Sequence, residues 1–267
     1  MQREPAVANQ FYPGDPRTLR QTLDRLIPTN KAKEPALAVV SPHAGYIYSG
    51  AVAGETFASV DLPKDIIVMG PNHHGYGPAV SLMPDGSWQM PSGNVPINHA
   101  LARQILAHSS NVEADTLAHR FEHSLEVQIP FLQYLRPDFT LTPLVVSHLS
   151  LGACREVGEA LAAAIEAYAN PVLIVASSDM THYESRQSAT SKDSLAIKHI
   201  EALDPEGLYK TVTDNRISMC GIMPATIALI AALRLGATKA KLVRYTDSGE
   251  TSGDTEQVVG YAGIVIS

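Results

Sequence analysis

The sequence predicts an α/β fold: one domain over residues 1–267, with a central mixed, mostly parallel sheet flanked by helices. Three observations lead there. The apolar runs ALAVV (36–40), DIIVMG (65–70) and PVLIVAS (171–177) are short and rich in β-branched residues, as buried strands are. Segments of helical period alternate with such runs through short connections, the signature of βα units. The length of 267 residues, with 45% hydrophobic and 18% charged, suits one large core.

The elements follow in chain order. Asp15 caps GDPRTLRQTLDRLI with Pro16 at the first helical position, and Leu19, Leu23 and Leu26 follow as its apolar residues. ALAVV feeds the loop SPHAGYIYSG and a helix over about 49–58; DIIVMG feeds PNHHGYGP. Residues 79–97, rich in Gly and Pro, read as short strands and turns, and Asn98 caps the helix HALARQILAHS. EHSLEVQIPFLQYL (122–135) has a helical period that Pro130 should bend or interrupt. FTLTPLVVS (139–147) is a strand, and Ser150 caps a helix over 151–168 whose Val157, Leu161, Ile165 and Tyr168 share one face. PVLIVAS is too apolar for an edge strand. Helices over about 189–203 and 205–214 come next, then one from Cys220 to Leu235 that Gly236 stops. KAKLVRYT and VVGYAGIVIS are closing strands around the polar loop 246–256.

Composition excludes several function classes. The net charge of −7 and the lack of a Lys/Arg cluster argue against nucleic acid as a partner. No apolar stretch is long enough for a bilayer span, so no membrane role is expected. The N-terminal stretch has no signal-peptide pattern, and Cys154 and Cys220 sit in unlike contexts that do not suggest a disulfide framework. A cytoplasmic location is the expectation. No Walker loop, dinucleotide fingerprint or G-x-S-x-G elbow occurs.

Chemistry concentrates in six residues: His43 in SPHAGY, His73 in GPNHHG, His123 in FEHSLE, Asp179 and His182 in SSDMTHY, and Cys220 in SMCGIMP. Three of these motifs directly follow β-type runs. Groups just past the carboxyl ends of strands in an open sheet converge on one crevice, and imidazoles, a thiol and a carboxylate there could hold a transition metal. Each residue also has a plainer reading. His43 could be a loop histidine bonded to backbone, and His123 a surface group at a helix start. Asp179 could be an N-cap with His182 exposed; on a helical turn their i, i+3 spacing would instead place them on one face, and in an irregular loop they could still converge. Cys220 could be inert, or a thiolate favoured by a helix N-terminus. In an extended segment only one of His73 and His74 would face a metal, and local sequence does not say which.

Taken together, PHAGYIYSG, GPNHH, EHSLEVQIPFL, SSDMTHY and CGIMP, in this order over nearly the whole chain, resemble the Memo family. In bacteria and archaea this is the AmmeMemoRadiSam system protein B group, and the opening REPAVANQFYPGDP is similar too. The resemblance implies a fold like that of the class III extradiol ring-cleaving dioxygenases, which use non-haem iron. It also implies metal binding by His43, His73 and Cys220, with His123, Asp179 and His182 as supporting or acid–base groups of the pocket. Those dioxygenases use two histidines and a carboxylate, whereas Cys220 takes the third place here. A thiolate suits softer metals and is itself oxidisable, so dioxygenase activity does not follow from the fold. Fe(II) or copper is the expected cofactor, with zinc as the alternative.

Three functions are compatible with this reading. One is a metal-dependent oxidoreductase acting on a small-molecule or peptide-borne substrate, with His182 as acid or base oriented by Asp179 and His123 stabilising bound oxygen or substrate. The second is a non-catalytic metal- or peptide-binding interaction protein; the group name implies a radical SAM protein as a partner. The third is a zinc hydrolase.

Overall fold

The computed structural model describes residues 1–267. Its central sheet runs in the order β10-β12-β2-β9-β3-β8-β4-β7, with β11 also paired to β12. The middle of the sheet is made of β2 (Ala38–Ser41), β9 (Val172–Ser177), β3 (Asp65–Pro71) and β8 (Thr140–Val146), all mutually parallel. β2, β3 and β9 fall in or on the three apolar runs at 36–40, 65–70 and 171–177, and β8 lies in the strand expected over 139–147. On one side, the antiparallel β12 (Val258–Ile266) joins β2 and carries β11 (Ala240–Asp247) and β10 (His182–Glu184). On the other, β4 (Val80–Leu82) runs antiparallel to β8 and carries β7 (Val112–Ala114). A separate small sheet joins β1 (Gln2–Arg3), β5 (Ser87–Met90) and β6 (Gly93–Pro96). The architecture expected from sequence, α/β with a mixed sheet between helices, is the one the chain adopts.

Alternation along each central strand divides the core in two. Val40, Ile67, Met69, Ile174 and Ala176 face α3 (His99–His108), α5 (Leu151–Tyr168), α6 (Arg186–Glu201), α7 (Pro205–Asp214) and α8 (Ile222–Arg234). Val39, Ile66, Val68, Leu173 and Val175 face α1 (Pro16–Leu26), α2 (Tyr46–Ala58) and α4 (Ile129–Leu135). Helix α8 is apolar all round, and every residue from Ile222 to Ala232 is buried, as such a composition requires. The caps at Asp15, Asn98 and Ser150 form as expected, each side chain accepting a backbone N–H of the first turn. No helix is long and apolar enough to cross a membrane.

Two expectations need correction, and one left open is decided. The stretch 122–135 is not one helix: residues 126–128 form a 3₁₀ turn, α4 begins only at Ile129, and Pro130 sits harmlessly in its first turn. Long-range partners take over the backbone of 122–125. Arg3 Nη2 donates to Glu122 O at 2.8 Å, and the Ser124 hydroxyl donates to Pro71 O at 3.0 Å. Of the two conformations open for SSDMTHY, the chain takes the irregular one over 178–181, and His182 then opens β10, which pairs with β12. The loop 246–256 contains a short helix, α9 (Gly249–Ser252), which the run of polar residues and glycines concealed.

Candidate metal centre

His43, His73 and Asp179 each stand two residues beyond the last residue of a parallel strand, β2, β3 and β9 respectively. Because β9 lies between β2 and β3, the three loops open at one edge of the sheet. Cys220 arrives from the opposite layer, immediately before Gly221, the N-cap of α8. Gly221 is required there: a Cβ would come within 2.3 Å of Ser177 O and 2.4 Å of Ser178 Cβ. Gly70 has the same role beneath the His123 loop, where a Cβ would meet Ser124 Oγ at 2.4 Å.

One nitrogen from each of His43, His73 and His123 lies within 4.8 Å of the others. The ring centroids are 5.4 Å apart for His43 and His73, 5.5 Å for His43 and His123, and 4.5 Å for His73 and His123. Imidazoles sharing one metal at about 2.0–2.1 Å per bond have centroids roughly 4.5–5.5 Å apart, so the three rings fit a common ion. The Cys220 sulfur touches this group through His43, with Sγ 3.3 Å from Nε2. That one separation suits a shared centre, but Sγ is not among the atoms that all lie within 4.8 Å of one another, so His123, and not Cys220, completes the close cluster with His43 and His73. The donor set is chemically suited to a borderline or soft transition metal.

Each ring is anchored from behind. The His43 N–H donates to Asp179 Oδ1 at 2.7 Å, and His43 Nδ1 lies 2.9 Å from Ser177 Oγ. Glu122, fully buried, receives both the His73 N–H at 2.7 Å and His73 Nδ1 at 2.8 Å, as well as the Ser124 N–H at 2.9 Å. A carboxylate behind a ligating histidine fixes its tautomer and orientation. Burial pushes the Glu122 carboxyl upward, but its hydrogen bonds from His73 and Ser124 outweigh burial and hold it well below the usual carboxylate range. His123 packs under the Phe11 ring, at 4.8 Å between centroids. Burial, reinforced by His73, lowers the His123 pKa to about 4. Burial, then His123 and His73, holds His43 well below the ordinary histidine value. These two rings are therefore neutral at neutral pH, the form that offers a lone pair.

The remaining predicted residues sit around this core in roles that differ from expectation. Asp179 is not an N-cap, and no hydrogen bond joins it to His182; its carboxylate instead holds the His43 loop. Burial raises the Asp179 pKa to about 6. His182 is half-buried, with Nδ1 2.9 Å from Ser218 O, so that nitrogen carries the proton and Nε2 is left as an acceptor. Cys220 is not held as a thiolate by the helix start. Burial first, then the Asp179 carboxylate, push the thiol upward, and the Asp179 N–H at 3.3 Å from Sγ compensates only in part. Of the neighbouring pair, His73 joins the cluster, while His74 Nε2 turns outward to Phe121 O at 3.0 Å. His148 is exposed.

Glu122, Ser177 and Gln128 carry no functional label in the sequence. The one available signal for Glu122 was a carboxylate adjoining His123, next to an apolar run. The opening segment gains a clear structural purpose. Arg3, buried and 4.0 Å from the centroid of Trp88, pairs with Glu126 Oε2 at 2.7 Å. Glu126 also accepts the N–H groups of Ala6 and Val7 and the Tyr12 hydroxyl, strapping residues 3–12 against the His123 segment. A cavity of about 1000 Å³ opens near Asp65, Tyr168 and Val172, and none of these histidines lines it.

The sheet order and the clustered histidines describe an α/β protein with a candidate metal centre at the carboxyl edge of its parallel strands. The chain belongs to the Memo family: the family described as Memo-like protein matches residues 3–265. It is 40% identical to the MEMO1 family protein MK0963 of Methanopyrus kandleri over 99% of both chains. It is 41% identical to a MEMO1 family protein of Aquifex aeolicus over 98% of both. Among solved structures, an uncharacterized protein, JW3007, from Escherichia coli K12 shares the fold, with a TM-score of 0.56 and 17% identity. That match covers 84% of this chain and 98% of the other.

Proposed function

We propose that this protein binds a transition-metal ion with His43, His73 and Cys220 as ligands, and that it uses the ion in redox chemistry on a small or peptide-borne substrate. The observation that carries the reading is the convergence of three imidazoles within 4.8 Å, with the Cys220 sulfur 3.3 Å from His43 Nε2. His123 shares the cluster and is a further donor to the same ion. Bound Fe(II) or copper would supply electron transfer or oxygen activation, and zinc would supply Lewis acidity. The protein's own groups do the rest. Asp179 and Glu122 hold the His43 and His73 loops in place through backbone and ring hydrogen bonds. His182, with a free Nε2, is the group suited to take or give a proton on the substrate side. The carboxyl of Asp179, raised by burial to about 6, is a second proton-holding group there.

The test is elemental analysis of protein purified without added metal, together with zinc titration of wild type, His43→Ala and Cys220→Ser. Stoichiometric metal that falls in both variants is expected. The Cys220 thiol is protonated near neutral pH, because burial raises its pKa, so binding as a thiolate must release a proton. Wild-type zinc affinity should therefore rise about tenfold per pH unit between pH 6 and 8, and Cys220→Ser should lose that slope. Unchanged metal content in both variants would rule out this ligand set.

A further inference from the structure

Gln128 has an unusual set of partners. It is fully buried in the turn before α4. Its amide nitrogen donates to Ser177 Oγ at 2.8 Å and to Pro42 O at 2.9 Å, with Ser41 O at 3.3 Å. Its own Oε1 is buried without a partner. A buried acceptor left unpaired is unfavourable. The two carbonyls nonetheless dictate the orientation, because only an N–H group can satisfy them.

The consequence passes to Ser177. A serine hydroxyl has one proton and two lone pairs. Ser124 O, 2.6 Å from Ser177 Oγ, can only accept, so the hydroxyl proton points there. The Gln128 amide can only donate, which occupies one lone pair. The remaining lone pair faces His43 Nδ1 at 2.9 Å, so Nδ1 must carry a proton. In a neutral imidazole this leaves the ring lone pair on Nε2, the nitrogen 3.3 Å from Cys220 Sγ. Donation thus runs in one direction, from His43 and Gln128 into Ser177 and from Ser177 into Ser124 O.

We propose that Gln128 and Ser177 are positioning residues that hold His43 as the Nδ1–H tautomer and so present Nε2 to the metal. The consequence for metal binding rests on the function proposed above; the tautomer does not. Long-range proton–nitrogen spectra of full-length protein labelled with ¹⁵N-histidine read the tautomer without added metal, and Zn(II) titration reads the consequence. Wild type should show His43 protonated at Nδ1 and bare at Nε2. Ser177→Ala and Gln128→Met should mix or switch the tautomer and weaken Zn(II) binding about ten- to a hundredfold. Ser177→Thr, which keeps the hydroxyl, should preserve both. A wild-type His43 protonated at Nε2 overturns the proposal, as does a Ser177→Ala protein with unchanged tautomer and Zn(II) affinity. The wild-type spectrum decides the tautomer even if a variant fails to fold. Wild type that shows Nδ1–H yet takes up no Zn(II) would defeat the metal reading while upholding the tautomer assignment.

Discussion

Glu122→Gln keeps the shape of the side chain that backs His73 and removes its charge and one acceptor. In wild type, Oε1 accepts His73 Nδ1 at 2.8 Å and the Ser124 N–H at 2.9 Å, while Oε2 accepts the His73 N–H at 2.7 Å. An amide must turn its NH₂ toward one of these positions. In the better orientation it replaces Oε2, so one bond is lost and the His73 N–H faces another donor. Losing a charge-assisted bond and leaving a buried donor unpaired costs about 1–3 kcal/mol. At roughly 2 kcal/mol, a chain of this size should melt about 4–8 °C lower. The pH dependence has a definite sign. The folded pKa of Glu122 lies below its ordinary value of 4.5, so its contribution is complete above that value and is lost as pH falls through the folded pKa. The difference in Tm between wild type and variant should therefore be full at neutral pH and shrink in acid below 4.5. Thermal unfolding followed by circular dichroism across pH measures this, and zinc titration should show affinity reduced about ten- to a hundredfold. A neutral-pH Tm within about 1 °C of wild type, with unaltered zinc affinity, would refute the supporting role of Glu122.

Asp179→Asn should go the other way. Burial raises the Asp179 pKa from 3.8 to about 6, so the folded state favours the neutral form, and this preference is fully expressed below 3.8 and lost as pH rises through 6. Asn keeps an oxygen for the His43 N–H, so the variant should match or exceed wild type above pH 6, by up to about 3 kcal/mol in denaturant titration; a clear loss at pH 8 would contradict the reading. Arg3→Met strands the buried Glu126 charge and should cost about 3 kcal/mol, near the low end for a broken buried pair because Ala6, Val7 and Tyr12 still bond that carboxylate. Amide exchange over residues 3–12 should rise with it, and unchanged protection there would mean the strap does not depend on the pair.

Much of the fold was legible because its signals are local. The runs at 36–40, 65–70 and 171–177 became three adjacent parallel strands, and their positions alone located His43, His73 and Asp179 at one edge. Where local periodicity misled, distant groups had taken over. The stretch 122–125 has a helical pattern but a loop conformation, because Arg3 and Pro71 bond its backbone and carbonyl-seeking hydroxyl. The i, i+3 pair Asp179 and His182 is split because the chain between them is held by β12 and by Asp193, which accepts the Thr181 N–H at 2.9 Å.

The sequence by itself determined most of the strand and helix order, the caps, the family and the candidate site residues, since apolar period, turn chemistry and motif order are all written along the chain. Only the tertiary structure decided how those residues are used. It brought His123 into the imidazole cluster, turned His74 away and raised the Cys220 thiol instead of ionising it. It also gave Asp179 to the His43 loop and recruited Glu122, Ser177 and Gln128 behind the rings. The physical reason is that burial, ring orientation and hydrogen-bond direction depend on partners far away in sequence, as the 177-residue separation of Cys220 from His43 shows.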